Sequence, residues 1–270
     1  MTVEDWVQAA AASLAKAGVD SPKLDAQLLL AHHLGWSRSR LLAHAKESFE
    51  KTPALEESLR RRVAREPLAY ILGYREFFGR KFLVTPTVLI PRPETELLVE
   101  MALEESFHRA LDVGTGSGCL AVTLKAERPD CRVEGTDISK DALKVARQNA
   151  ERHKTHVAFS EADLWPPGRD KFDLIVSNPP YVAHQDPLAP EIAMHEPKLA
   201  LYAEEVGLAV YRRMAKEARP WLAKGGRLIL EVGQGQAGKV AELFVQETWP
   251  PPRVVLDFSG VERALLFQLP

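Results

Sequence analysis

A chain of 270 residues is long for one domain and comfortable for two. Its 46% hydrophobic and 27% charged residues fit a soluble globular protein, and no apolar run approaches the roughly 18–20 residues of a membrane span. The net charge of −2 divides into 11 basic against 9 acidic residues over 1–75 and 24 against 28 beyond, without the basic bias of a phosphate-backbone binder. The start, MTVEDWVQAA, is acidic and lacks a signal-peptide pattern, which makes the cytoplasm the expected address. Cys119 and Cys131 read as small core residues rather than as a disulfide or metal pair, and no His or Cys spacing suits a metal.

The first 66 residues read as helices alone. Thr2 with Asp5 resembles a capping box, and Gly18 stops the first helix. Ser21-Pro22 opens a second, with Leu24, Leu28, Leu29 and Ala31 as its apolar stripe until Gly35. Ser37 begins a short third, and Thr52-Pro53 a fourth that runs into Glu66-Pro67, giving a compact bundle. Within the fourth, RRRVAR at 60–65 reads as a solvated face, because Leu55, Leu59 and Val63 take the apolar spacing.

Residues 68–90 are aromatic and β-branched, with Gly73 and Gly79 as punctuation, and suggest a β-hairpin linking two domains. PRPETELLVEMALEE then starts a helix with Pro93 near its first position and Glu94 and Glu96 in the first turn. From 109 onward RALDVG, CRVEGTD, HVAFSEAD, FDLIVSN, GRLILEVG, PRVVLDF and ERALLFQL read as strands, with helices at 117–127, 139–152, 206–222 and 236–247. The alternation predicts an α/β, mainly parallel sheet covered on both faces. Only Ser259-Gly260-Val261 separates the last two strands, too little for a parallel crossover, so either these two pair antiparallel, with the last strand reversed, or one of them is not a strand.

LDVGTGSGCL joins a buried strand to a helix through Gly114, Gly116 and Gly118, where missing Cβ atoms permit a tight turn and close approach of a ligand. Nineteen residues after Gly118 the next strand ends at Asp137, an acid able to accept hydrogen bonds from both hydroxyls of a ribose. An adenosine-containing cofactor follows; Cys119 stands where the dinucleotide fingerprint wants Gly or Ala, although that spacing alone leaves a dinucleotide open. In the third strand Asp163 can accept from an adenine amino group while Leu164 walls the ring. The fourth strand ends abruptly in Asn178-Pro179-Pro180-Tyr181. The prolines stiffen the corner and remove two N–H donors. The Asn178 side-chain oxygen and the Pro179 carbonyl then match the two hydrogens of a planar NH2 group, with Tyr181 as a flat face beside it.

This corner after a GTGSG loop resembles the amino-methyltransferases that use S-adenosylmethionine. The ordered segments LGYREFFG, VLIPRPETELLVE, LDVGTGSG, TDISKDALKVARQNA and DLIVSNPPYV resemble the HemK/PrmC family of peptide chain release factor glutamine methyltransferases. The resemblance implies a Rossmann-like methyltransferase sheet over 91–270, a hairpin linker at 68–90 and a helical substrate-recognition domain at 1–67. It also implies transfer of a methyl group from S-adenosyl-L-methionine, which leaves as S-adenosyl-L-homocysteine, to N5 of the glutamine in a Gly-Gly-Gln motif of class I release factors. Carried onto this sequence, Gly114, Thr115, Gly116, Ser117 and Gly118 wrap the methionine end of the cofactor. Asp137 and Ile138 then serve its ribose, Asp163 and Leu164 its adenine, and Asn178, also beside the cofactor, joins Pro179, Pro180 and Tyr181 in holding and activating the glutamine. Arg92 and Thr95 are expected to close over the methionine end. One departure is the segment after EPKLAL, where Tyr202, Ala203 and Glu204 stand in place of the family's usual two glycines. Methylation of an exocyclic amine of a nucleic-acid base is the alternative enzyme reading, and it calls for a basic face or a further domain; a cofactor-binding regulator without catalysis is the non-enzyme reading.

Overall fold

The computed structural model describes residues 1–168 and 170–270. By its contacts the chain forms two units, Met1–Tyr74 with Leu188–His195, and Arg75–Pro187 with Glu196–Pro270.

The chain starts with α1 (Val3–Lys16), α2 (Pro22–Leu34), α3 (Arg38–Ala43), α4 (Pro53–Val63) and α5 (Leu68–Leu72). Local chemistry sets their ends. Thr2 and Asp5 close the expected capping box, the Ser37 and Thr52 hydroxyls accept from the N–H groups of Arg40 and Leu55, and Gly35 ends α2 in the left-handed region. The buried face of α2 is Ala26, Leu29, Leu30 and Ala31, one position round from the predicted stripe, and Leu24 is exposed. These residues pack with Trp6, Leu14, Leu41 and Leu55 into one core.

Two expectations fail in this unit. Residues 68–72 form a helical turn ended by left-handed Gly73, so the hairpin begins only at Tyr74. Arg62 is buried rather than solvated, with its Nε 2.7 Å from Asp25 Oδ2 and its guanidinium 3.2 Å from Glu191, while Val63 is exposed. The periodic argument gave the inward position to Val63; the paired carboxylates give it to Arg62.

After the hairpin of β1 (Tyr74–Phe77) and β2 (Arg80–Leu83) come α6 (Glu96–Leu103), β3 (Arg109–Val113), α7 (Cys119–Glu127), β4 (Arg132–Asp137), α8 (Lys140–Arg152), β5 (Val157–Glu161) and β6 (Phe172–Ser177). Four helices follow: α9 (Pro190–His195), α10 (Lys198–Leu201), α11 (Glu204–Gly207) and α12 (Ala209–Glu217). The chain ends with β7 (Leu222–Glu231), α13 (Ala237–Gln246), β8 (Arg253–Leu256) and β9 (Glu262–Gln268). The helix expected over 206–222 starts later because Glu205 and Val206 take left-handed angles (φ 54° and 57°), and it stops before Pro220.

The seven-stranded sheet has the order β5-β4-β3-β6-β7-β9-β8. Strands β3 to β7 pair in parallel; β9 runs antiparallel to β8, as their short connection requires, and also to β7, so the last strand is the reversed one. Alternation along the strands feeds two cores. Ala110, Leu174, Val176 and Ile229 face α6 and α7, whereas Leu111, Val113, Ile175, Leu228 and Leu230 face α12 and α13. Both cysteines are buried and free. Strand order turns back between β3 and β6, and in open α/β sheets that switch point is where a crevice opens.

Candidate active site

Register decides which side chains meet. Val113 pairs with Ser177, so the glycine loop after β3 and the Asn-Pro-Pro-Tyr corner after β6 leave the sheet side by side. Ser177 in turn pairs with Leu230, which puts Asn178 beside Glu231. On the other flank Val113 pairs with Thr136, and Asp137 follows at the tip of β4.

These ends enclose a cavity of about 420 Å³. Gly114, Gly116, Asp137, Ile138, Asp163, Leu164, Asn178, Pro179 and Pro180 line it, joined by Ser177, Leu199, Tyr202, Val210 and Arg213, which the sequence reading did not assign. Gly114 and Gly116 have positive φ (72° and 54°), and a Cβ at Gly114 would project into open space with no atom within 4 Å. That is a cradle for a ligand rather than a packing contact. Gly118 differs: its φ of 80° starts α7, and a Cβ there would press on Ala146 at 3.1 Å.

Asp137 is fixed by the loop it faces. Its oxygens accept from the N–H groups of Gly116 and Ser139, both at 2.8 Å. A carboxylate offers about four acceptor directions, so each oxygen retains one for a diol. Burial raises its pKa, against the opposing effect of those backbone bonds. Asp163 lies across the cavity and accepts from Arg213 Nη1 at 2.9 Å; that hydrogen bond raises the Arg213 pKa. Leu164 sits in the left-handed region (φ 72°) with its carbonyl oxygen bonded by the Thr136 hydroxyl at 2.7 Å.

Other predicted residues turn inward. The Thr115 hydroxyl donates to Asp112 at 2.6 Å, Ser117 is buried, and neither lines the cavity. Burial pushes Asp112 up to about 7. Ser117 offers its carbonyl to Asn149, whose amide also holds both polar groups of Leu83 and so braces the hairpin against the glycine loop. Tyr181 packs on the core face shared with α12 and α13, and its hydroxyl lies 3.5 Å from Glu231 Oε1. Burial first, then the Glu231 carboxylate, pushes its phenol up to about 12.

Arg92 and Thr95 do not line the cavity. Arg92 donates to Glu196 at 2.7 Å, and Glu196 also takes the Ile90 N–H, which ties the EPKLAL segment to the strand-like entry of PRPET. Thr95 is 2% exposed and donates to Glu231 Oε2 at 2.6 Å while accepting from Asn178 Nδ2 at 3.0 Å. Burial pushes Glu231 up to about 7. Glu231 was not picked from the sequence, although an acid closing the otherwise aliphatic run of β7 was the available signal. Among the described residues no cluster of three or more His, Cys, Asp or Glu side chains is arranged to hold a metal ion.

The departure segment forms the rim. Val182 and Tyr202 make a parallel bridge, and the Tyr202 ring stacks on His184 at 5.0 Å. Gly207 lies against the Tyr181 carbonyl, to which Gln236 Nε2 also donates at 3.0 Å. A side chain at Gly207 would overlap that carbonyl.

A reversed last strand beside a glycine-loop crevice sets this sheet among the Rossmann-like, S-adenosylmethionine-dependent methyltransferases. The same fold recurs in the crystal structure of a methyltransferase from Pyrococcus furiosus, with a TM-score of 0.56 at 18% identity over 79% of this chain and 98% of that one. Residues 5–73 match the PrmC N-terminal domain and residues 93–195 the methyltransferase small domain. A release factor glutamine methyltransferase of Cereibacter sphaeroides is 41% identical over 100% of this chain and 99% of its own length. One of Burkholderia pseudomallei is 44% identical over 92% of each. The chain belongs to the release factor glutamine methyltransferase family.

Proposed function

We propose that this protein methylates the side-chain amide nitrogen (N5) of the glutamine in the Gly-Gly-Gln motif of class I peptide chain release factors. The observation that carries the reading is the Asn178 carboxamide: its NH2 group is engaged by Thr95, so its oxygen is the end left for the cavity. An oxygen acceptor there selects an incoming NH2 group. S-adenosylmethionine supplies a methyl group on a positively charged sulfur and leaves as S-adenosylhomocysteine.

The residues fit that co-substrate. The open space over Gly114, with Gly116 beside it in the cavity wall, takes its methionine end, Asp137 with Ile138 takes the ribose, and Asp163 with Leu164 takes the adenine. Thr115, Ser117 and Gly118 act by shaping the loop rather than by side-chain contact.

An amide nitrogen is a weak nucleophile because its lone pair is delocalised into the carbonyl. The chain's task is therefore positioning, which contributes about 7–11 kcal/mol in favourable intramolecular cases. The Asn178 oxygen and the Pro179 carbonyl hold the two amide hydrogens, and both acceptors strengthen their hold as those hydrogens become acidic. Pro179 and Pro180 keep the corner from relaxing. Tyr181 supports it from behind, with its phenol kept neutral by burial. The amide proton is released to solvent once the nitrogen has gained the methyl carbon. Asn178 is uncharged, so no unpaired carboxylate has to be held in the cavity.

The helical part at 1–67 holds the release factor away from the chemistry, and the reaction belongs in the cytoplasm, where release factors work. Among the described residues no helix is long and apolar enough to cross a membrane. Incubation with methyl-labelled S-adenosylmethionine and a class I release factor tests the reading. Label is expected on the Gly-Gly-Gln glutamine and absent from a factor in which that glutamine is replaced; label on nucleic acid instead of the factor would overturn it.

A further inference from the structure

We propose that Thr95 and Glu231 are positioning residues that fix which end of the Asn178 carboxamide faces the cavity. The inference rests on the proposed glutamine transfer for its kinetic consequence, but its geometry stands alone.

A threonine hydroxyl carries one hydrogen. Here that hydrogen goes to Glu231 Oε2 at 2.6 Å, so toward Asn178 the Thr95 oxygen can only accept. The group facing it at 3.0 Å must then be NH2, and the carboxamide oxygen must point the other way. Glu231 sets the direction of the whole chain because a carboxylate oxygen accepts. A proton on Glu231 leaves this unchanged when it sits on Oε1, the oxygen facing the Tyr181 hydroxyl.

The anchor is rigid. Glu231 is 1% exposed at the end of β7, its backbone carbonyl takes the buried Tyr211 hydroxyl at 2.8 Å, and the next residue, Val232, bonds the Arg263 carbonyl across the sheet. Thr95 is held just before α6 by its own N–H bond to the Arg92 carbonyl. Asn178 has no comparable internal preference, because turning an amide over exchanges oxygen and NH2 at almost no change of shape. A turned amide would present its hydrogens to the hydrogens of the substrate amide and would leave two lone-pair groups facing each other at Thr95. Sequence placed Thr95 beside the cofactor; the structure puts it behind the amide acceptor.

The test compares Thr95→Val, which keeps shape and removes both hydrogen bonds, with Thr95→Ser, which restores them. For a release factor substrate, Thr95→Val is expected to lower kcat about 10- to 100-fold, the cost of a buried polar group left unpaired. KM and the Kd for S-adenosylmethionine should stay within about twofold, and Thr95→Ser should recover most of kcat. A second readout needs no turnover: the Asn178 side-chain NH2 resonances, identified by their loss in Asn178→Ala, should shift or broaden in Thr95→Val. If Thr95→Val does not fold, Glu231→Gln replaces it. Glutamine can either accept from or donate to Thr95, so those resonances should double and kcat should fall. Unchanged kcat together with unchanged Asn178 resonances in a folded variant would overturn the proposal. A wild-type chain inactive on release factors would sink the proposed function instead, and the resonances would still decide this inference.

Discussion

Gly207 offers the sharpest test of how the corner is held. Its φ is +81°, and a Cβ built there overlaps the carbonyl oxygen of Tyr181 and comes within 2.9 Å of Gln236 Nε2. Gly207→Ala therefore forces an L residue into the left-handed region, at roughly 1–2 kcal/mol. It also pushes the Tyr181 carbonyl by about 1 Å to regain van der Waals contact, breaking the 3.0 Å bond from Gln236, worth about 0.5–1.5 kcal/mol. The sum is about 2–3 kcal/mol of stability, a melting shift on the order of 4–10 °C for a unit of this size. Misplacing a positioning group by about 1 Å costs on the order of 100-fold in rate. Calorimetry and single-turnover methyl transfer are the assays, with Gly238→Ala as control. Gly238 lies within α13 with no atom within 4 Å of a built Cβ, so that change should stabilise by about 0.5–1 kcal/mol and leave kcat alone. A Gly207→Ala protein with wild-type melting and wild-type kcat would refute the claim that this contact sets the corner.

Asn178→Ala should abolish detectable methyl transfer while isothermal titration still finds S-adenosylmethionine bound within about fivefold of the wild-type Kd. Asp137→Ala should do the reverse, raising that Kd about 10- to 100-fold by removing a charged acceptor from the ribose. In the helical unit, Arg62→Ala should cost about 3–5 kcal/mol in urea unfolding because it strands the Asp25 carboxylate and leaves Glu191 to Arg65 alone, whereas Arg60→Ala, at an exposed position, should stay within about 0.5 kcal/mol. Glu231 has a folded pKa of about 7, above the ordinary 4.5, and it faces Arg92, Glu94, Arg263 and Tyr181. The folded chain holds that proton more tightly than the unfolded one, so the stabilisation is complete below about pH 4.5 and is lost as pH rises through about 7. Glu231→Gln should then gain on wild type by about 3 kcal/mol between pH 4.5 and 8 in paired unfolding curves, and parallel curves would contradict the assigned shift.

Most of the sheet could be read from the chain because its signals are local. Aliphatic runs ending in Asp137, Asn178 or glycine marked strand tips, and the short Ser259-Gly260-Val261 link pointed to an antiparallel pairing of the last two strands. The loop and corner residues were legible for the same reason, since their spacing fixes which strand ends carry them. What escaped depends on partners distant in sequence. Arg62 looked like solvent-facing charge because Asp25 and Glu191 lie 37 and 129 residues away. Thr95 needed the β6–β7 register before Glu231 and Asn178 could be seen to share it. Asn149 carried no sequence signal of its role, because its partner Leu83 lies 66 residues away.

The excursion of Leu188–His195 has a practical consequence for anyone shuffling parts of this protein. A graft that carries only residues 1–74 would separate Glu191 from Arg62 and Arg65, leaving Arg65 without its carboxylate and Arg62 with Asp25 alone in one piece, and an orphaned acid in the other. Chimeras between family members should therefore exchange both stretches together, as one discontinuous cassette.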